Sequence, residues 1–280
     1  MITDVSLVAL LGAARSDRRG LGAFNVVLLE HAEAIVAGAE RAASPVVLQI
    51  SENCIAYHGG LAPITLASLE IARRSSVDVL VHLDHIENPE LIYEGVELGV
   101  HSVMFDASKM SYGDNVTATR EMAEYCHARG VAIEAELGEV GGKDGVHAPG
   151  ARTDPSEAAA FVAQTGVDAL AVAVGTSHAM QTRVAAVDHD LIRALAGIVP
   201  VPLVLHGSSG LPDSELRAAV SSGMTKVNIS THLNGLFTKS IRQALDEDPE
   251  GVDPRMYVRR GRDAIALETA RLLRLLADTR

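Results

Sequence analysis

The chain has 280 residues, 48% of them hydrophobic, with 24 Gly and no Trp, enough for one large single-core domain spanning 1–280. Its formal net charge of -12 argues against a nucleic-acid or anionic-membrane partner. An anionic substrate would therefore need locally positive surroundings: a metal, helix N-termini, a few Arg or Lys. Cys54 and Cys126 are the only cysteines, too few for a disulfide framework. Met1-Ile2-Thr3-Asp4 shows no basic or apolar leader character. No apolar run approaches the ~20 residues of a membrane span, so a soluble cytoplasmic protein is expected.

In chain order, residues 3–18 read as a short helix, with Leu7, Leu10, Leu11 and Ala14 at helical spacing and Gly20 as a stop. A repeating pattern follows: an apolar run, a polar cluster, an amphipathic helix. The apolar runs are Gly22–Val27, Val46–Ser51, Val77–His85, Ser102–Asp106, Val131–Leu137, Ala169–Gly175, Val201–His206 and Lys226–Ser230. Between them, Ile35, Val36 and Ala39 share one helical face with Leu28, and Val116, Ala123 and Cys126 share another. Asp154-Pro155-Ser156-Glu157 and Leu211-Pro212-Asp213 are helix starts. Gly99, Gly130, Gly166 and Gly223 stand between a helix and the next strand, where a left-handed cap favours glycine. Residues 246–256 read as a surface loop before a last helix over roughly 256–277. Eight strand–helix units with continuously apolar strands predict an α/β fold, a (β/α)8 TIM barrel with an extra N-terminal helix and a C-terminal helical extension. A doubly wound open sheet is the alternative, weakened because no G-x-G-x-x-G follows the first strand.

In such barrels chemistry sits at the C-terminal ends of the strands. Those ends carry Asn25; Ser51-Glu52-Asn53; Asp84-His85; Asp106; Glu134 and Glu136 on one face by alternation; Gly175-Thr176-Ser177-His178; His206-Gly207-Ser208-Ser209-Gly210; and Asn228-Ile229-Ser230-Thr231. Burying an acid and a histidine side by side, as Asp84 and His85 would be, is costly without a partner. The topology delivers His85, His178 and His206 to one face, and three imidazoles with an open position suit a catalytic Zn²⁺. Asp106 and Glu136 can support these ligands or form an alternative second metal position. Gly207-Ser208-Ser209-Gly210 precedes a helix start and lies beside Asn228, Ser230 and Thr231. It reads as a phosphate cradle of backbone N–H groups.

The segments AFN (23–25), HLDH (82–85), SVMFDAS (102–108), EAELGEVGG (134–142), GTSH (175–178), LHGSSG (205–210) and KVNIST (226–231) occur in family order. Together they resemble the class II, zinc-dependent fructose-bisphosphate and tagatose-bisphosphate aldolases across nearly the whole chain. The resemblance implies that His85, His178 and His206 bind the catalytic zinc and that Asp84 exchanges a proton with the C4 oxygen. Asn25 and Asn228 would hold the dihydroxyacetone-phosphate part. Gly207, Ser208, Ser209, Ser230 and Thr231 would surround its phosphate, with a monovalent cation (Na⁺ or K⁺) nearby. Ser51 would assist at the distal phosphate. Arg262 matches an arginine that reaches a neighbouring subunit's distal phosphate, which implies a homo-oligomer, dimer or tetramer. Carbon–carbon cleavage beside a ketone leaves an enediolate, and Zn²⁺ as Lewis acid replaces a Schiff-base lysine. Lys226 is placed at the start of the eighth strand.

Three positions depart from the family pattern. Ala179 stands where Gly usually follows the second zinc histidine, and Ser208 where Gly or Ala is common. In the glycine-rich loop 138–152, Asp144 occupies the place of the proton-abstracting Glu, with Glu139 as its rival for that role. Such a loop suits a closing lid. Two other readings compete: a non-catalytic partner subunit of an aldolase complex, and a metal-dependent sugar-phosphate isomerase or epimerase.

Overall fold

Several apolar runs lead into a helix whose first turn is capped by a polar side chain, and the chain turns there. In the computed structural model, which describes residues 5–137, 152–176 and 185–278, the eight strands are β1 Leu21–Asn25, β2 Val46–Ser51, β3 Val79–Ile86, β4 Ser102–Phe105, β5 Ala132–Glu136, β6 Ala169–Ala171, β7 Leu203–Leu205 and β8 Met224–Ile229. All pair in parallel in sequence order, and β8 returns to β1, closing a barrel. The helices are α1 Leu7–Asp17, α2 Leu29–Ala42, α3 Glu52–His58, α4 Ala62–Arg74, α5 Pro89–Leu98, α6 Tyr112–His127, α7 Pro155–Thr165, α8 His189–Ile198, α9 Asp213–Ser222, α10 Thr231–Glu247 and α11 Pro254–Ala277. This is the expected TIM barrel, with α1 before it and α10–α11 closing the chain. Among the described residues no helix is long and apolar enough to cross a membrane.

Capping explains the helix starts. Asp154 accepts from the Glu157 N–H and opens α7; Asp188 does the same for Leu191 in α8. Ser51, read from sequence as a strand end, also caps α3 through the Cys54 N–H. That helix is only seven residues long, too short for its period to show in the sequence.

Alternation splits each strand's side chains between the barrel interior and the helical layer. Inside, the lower storey is apolar: Leu21, Ala23, Val47, Leu80, Met104, Ala132, Ala169, Ala171 and Val204. Leu7 and Leu11 of α1 close it from below, both fully buried, each stabilising by about 1.5–3 kcal/mol. Above lie Gln49, His82, Glu134 and Lys226, all fully buried. Outside the sheet, Phe24, Ile35, Leu48, Leu83, Phe105, Phe161 and Leu205 belong to the larger core beneath the helices.

Two sequence expectations change. The run Ala169–Gly175 forms a ladder only over Ala169–Ala171. Beyond it, Val172 still donates to Val204 on β7, but Ala173 exchanges hydrogen bonds with Thr153 and Val174 accepts from the Asp188 N–H, so flanking loops are the partners from Ala173 on. Lys226 does not begin β8 but lies within it, its side chain wholly buried.

Helices α2 and α11 pack side by side, and Gly38 permits the approach. A Cβ there would lie 2.7 Å from the Ala266 carbonyl oxygen and 2.7 Å from Thr269 Cβ. A backbone carbonyl cannot move without its helix, so Gly38→Ala is expected to destabilise by about 1–3 kcal/mol. That outweighs the gain of up to about 1 kcal/mol from alanine's helix propensity. A urea midpoint equal to or above wild type would contradict this packing.

Candidate active site

The site begins with an irregularity in β3. Asp84 and His85 are consecutive, yet both line the cavity at the C-terminal mouth of the barrel. A regular strand sends neighbours to opposite faces. Here the register with β4 shifts between Leu83 and Ile86, and His85 takes a left-handed backbone with φ of 51°. This conformation is uncommon for a residue with a Cβ and is strained. It re-aims His85 beside Asp84, as a bulge does.

His85 then meets three elements. Its Nδ1 lies 3.1 Å from Asp106 Oδ2, just past β4, and 3.8 Å from Glu136 Oε2 on β5. Its Nε2 lies 2.8 Å from Nδ1 of His206, which follows β7. His206 turns its other nitrogen, Nε2, to Glu134 Oε1 at 2.9 Å, and Lys226 Nζ donates to Glu134 Oε2 at 2.8 Å. The His206 carbonyl accepts from the Thr176 hydroxyl at 2.7 Å, fixing the end of β7. Asn228 Nδ2 lies 3.3 and 3.2 Å from the two His206 ring nitrogens. Asn25 Nδ2 donates to Asp84 Oδ2 at 2.7 Å, whereas Asp84 Oδ1 is buried with no hydrogen-bond partner among the described residues.

The electrostatics follow from this packing. Burial works against the His85 cation. The Asp84 charge, the Asp106 hydrogen bond and the Glu136 charge overcome it and push His85 up to about 10. Burial lowers His206 although Glu134 opposes it. Burial also tends to raise the Asp84 carboxyl, but the His85, His206 and Lys226 charges hold it below the ordinary carboxylate range. Beneath them His82, buried and beside Lys226, falls to about 3; its Nδ1 pairs with Ser102 Oγ at 2.8 Å.

The cavity, about 230 Å³, is lined by Asn25, Ser51, Asp84, His85, His206, Gly207, Ser209, Asn228, Ser230 and Thr231. The Gly-Ser turn is a single 3₁₀ turn, Ser208–Gly210, entered through a left-handed Gly207 with φ of 67°. Ser209 Oγ accepts from the Ser230 N–H at the start of α10. Ser208 is turned away: its hydroxyl donates to the Asn228 carbonyl, so only its backbone is left for a ligand. Arg262 does not reach the mouth of its own chain. It sits on α11, bonded to Glu33 at 2.9 Å, in a cleft with Glu30, Arg255 and Arg259. His178, Ala179, Asp144, Glu139 and the rest of loop 138–151 lie outside the described residues.

Two sets of ligand atoms are close enough to share an ion: Asp84, His85 and His206, and His85, Asp106 and Glu136. Within each set the atoms lie within 4.8 Å of one another, and His85 belongs to both. The family model for class II fructose-bisphosphate aldolase matches residues 5–279. The chain belongs to the class II fructose-bisphosphate aldolases. Two relatives bear on this aldolase directly. A fructose-bisphosphate aldolase of Geobacillus stearothermophilus is 39% identical over 268 residues, covering 93% of this chain and 92% of that protein. One of Giardia intestinalis is 35% identical, covering 93% and 88%. Among solved structures, the YdjI aldolase from Escherichia coli K12 superposes with a TM-score of 0.82 at 27% identity, over 97% of this chain and 96% of that one. The protein is thus a metal-dependent aldolase, a carbon–carbon lyase acting on a phosphorylated sugar.

Sequence reasoning set Glu134 on one face with Glu136 but gave it no role, and it missed the burial of Lys226. The available signal was the period of two in Glu134/Glu136 and in Lys226/Asn228, which sets each charge directly below a mouth residue.

Proposed function

We propose that the barrel mouth reversibly cleaves a ketose 1,6-bisphosphate, of the fructose or tagatose type, to dihydroxyacetone phosphate and glyceraldehyde 3-phosphate. The observation that carries this reading is the pairing of His85 and His206. Each imidazole gives one nitrogen to a carboxylate, and the remaining Nε2 and Nδ1 converge at 2.8 Å beside Asp84. The donor set fits a divalent ion. Asp84, Asp106 and Glu136 bring carboxyl groups together beside His85 and His206, and imidazole with oxygen donors suits zinc.

In this reading His85, His206 and His178 hold Zn²⁺, and Asp106 and Glu136 with His85 offer the alternative second position. The ion supplies a Lewis acid that polarises the substrate ketone. Asn25 and Asn228 orient the three-carbon ketone end. Gly207, Ser209, Ser230 and Thr231 receive its phosphate at the N-terminus of α10, where the helix dipole favours an anion. A monovalent cation, Na⁺ or K⁺, would share that phosphate. Ser51, and Arg262 from a neighbouring copy in a homo-oligomer, serve the distal phosphate. Asp84, kept ionised and held by Asn25, takes the C4 hydroxyl proton in cleavage and returns it in condensation. The whole chain acts as one barrel domain in the cytoplasm. The names of the Geobacillus and Giardia relatives favour fructose 1,6-bisphosphate as substrate.

A cleavage screen of fructose 1,6-bisphosphate, tagatose 1,6-bisphosphate and the corresponding monophosphates, with Zn²⁺ present, tests the reading. Cleavage of a bisphosphate that stops on chelation is expected; turnover that survives complete removal of metal would overturn it. For the loop, Asp144→Ala is expected to suppress proton exchange at C3 of dihydroxyacetone phosphate by about 10²–10⁴-fold while zinc stays bound. Exchange at the wild-type rate would exclude Asp144 as the base.

A further inference from the structure

We propose that Glu134 and Lys226 form a buried positioning pair that fixes the tautomer and ring orientation of His206, so that Nδ1 carries the lone pair offered to the metal. The proposal rests on His206 being a metal ligand, as argued above. Lys226 Nζ, Glu134 and His206 Nε2 form one chain with links of 2.8 and 2.9 Å, and all three side chains are at most 1% exposed. Glu134 and Lys226 lie below the residues that line the cavity.

Stability does not account for the pair. A buried ion pair is often no more stabilising than apolar side chains of the same volume, and the interior storey below is filled by Ala, Val, Leu and Met. Its chemistry does account for it. An ionised carboxylate can only accept, so His206 must place its proton on Nε2 to meet Glu134. In the neutral ring Nδ1 is then the bare nitrogen, and Nδ1 is the atom that faces His85. Lys226 Nζ, bonded to the other carboxylate oxygen at 2.8 Å, holds that carboxylate in place against Nε2. The strands set the geometry: Glu134 on β5 and Lys226 on β8 approach across the barrel interior from elements that are not neighbours.

The test compares Zn²⁺ affinity, by competition with a chromophoric chelator, in the wild type, His206→Ala, Glu134→Gln and Glu134→Gln/Lys226→Met. The double variant removes both charges at nearly constant volume, so it is the one to use if the single variant, with its buried unpaired lysine, does not fold. The double variant is expected to keep its circular dichroism spectrum and to bind Zn²⁺ about 10–100-fold more weakly. A pair with a merely structural role would lower the melting temperature and leave affinity within about twofold of wild type, and that result overturns the proposal. If His206→Ala binds Zn²⁺ as tightly as wild type, the ligand reading fails first and the proposal falls with it. Long-range ¹H–¹⁵N spectra of the metal-free wild type, with His206 assigned from the His206→Ala spectrum, give a readout independent of any variant's folding. An Nε2–H tautomer is expected; an Nδ1–H tautomer overturns the proposal.

Discussion

His206→Ala is expected to leave the barrel folded and to strip it of metal and of cleavage activity together. His206 supplies a nitrogen that no other described side chain can replace in the same position: Nδ1, 2.8 Å from His85 Nε2. Losing an outer partner of a ligand typically weakens metal affinity 10–100-fold, and losing the ligand itself should exceed roughly that range. The fold should survive because Glu134 and Lys226 still satisfy one another and the sheet's packing does not pass through the imidazole. Metal content after dialysis, set beside circular dichroism, checks this. Stoichiometric zinc in a folded His206→Ala protein would remove His206 from the ligand set.

The second large effect belongs to Asp84→Asn. Asparagine keeps the shape and can still accept from Asn25 Nδ2, so metal and substrate binding should change little. The variant cannot take the C4 proton, and kcat should fall about 10²–10⁴-fold. Titrations with zinc and with dihydroxyacetone phosphate separate these outcomes from a general collapse of the site. A kcat loss of less than about tenfold would mean that Asp84 is not the proton-transfer group.

Much of this could be read in the chain. Eight strands in parallel order were legible because a strand buried on both faces needs an unbroken apolar run, and each run ends in a polar cluster. The mouth residues were legible because those clusters must lie at one end of the barrel. What remained hidden depends on local geometry. Alternation predicts that Asp84 and His85 face opposite ways. The left-handed turn at His85 reverses this, and no residue type announces it, since glycine would be the expected signal. Lys226 was misplaced because a lysine normally marks an exposed strand start; its burial becomes intelligible only once Glu134 is seen 2.8 Å away. Ser208 looks equivalent to Ser209 in sequence, yet the 3₁₀ turn sends one hydroxyl into the Asn228 carbonyl and the other toward the cavity.

The short helix α1 also has a bearing on the chemistry far above it. Leu7 and Leu11 are packed into the lower end, so an apolar floor lies beneath Glu134 and Lys226, while the reacting groups line the cavity at the opposite mouth. The apolar base keeps the local dielectric low, which strengthens each charge–charge attraction above it. A leak at the bottom would therefore act at the mouth without touching any residue there. Polar substitutions at Leu7 or Leu11 would admit solvent beneath the ion pair and loosen its hold on His206, so the floor of the barrel is part of the machinery at its rim.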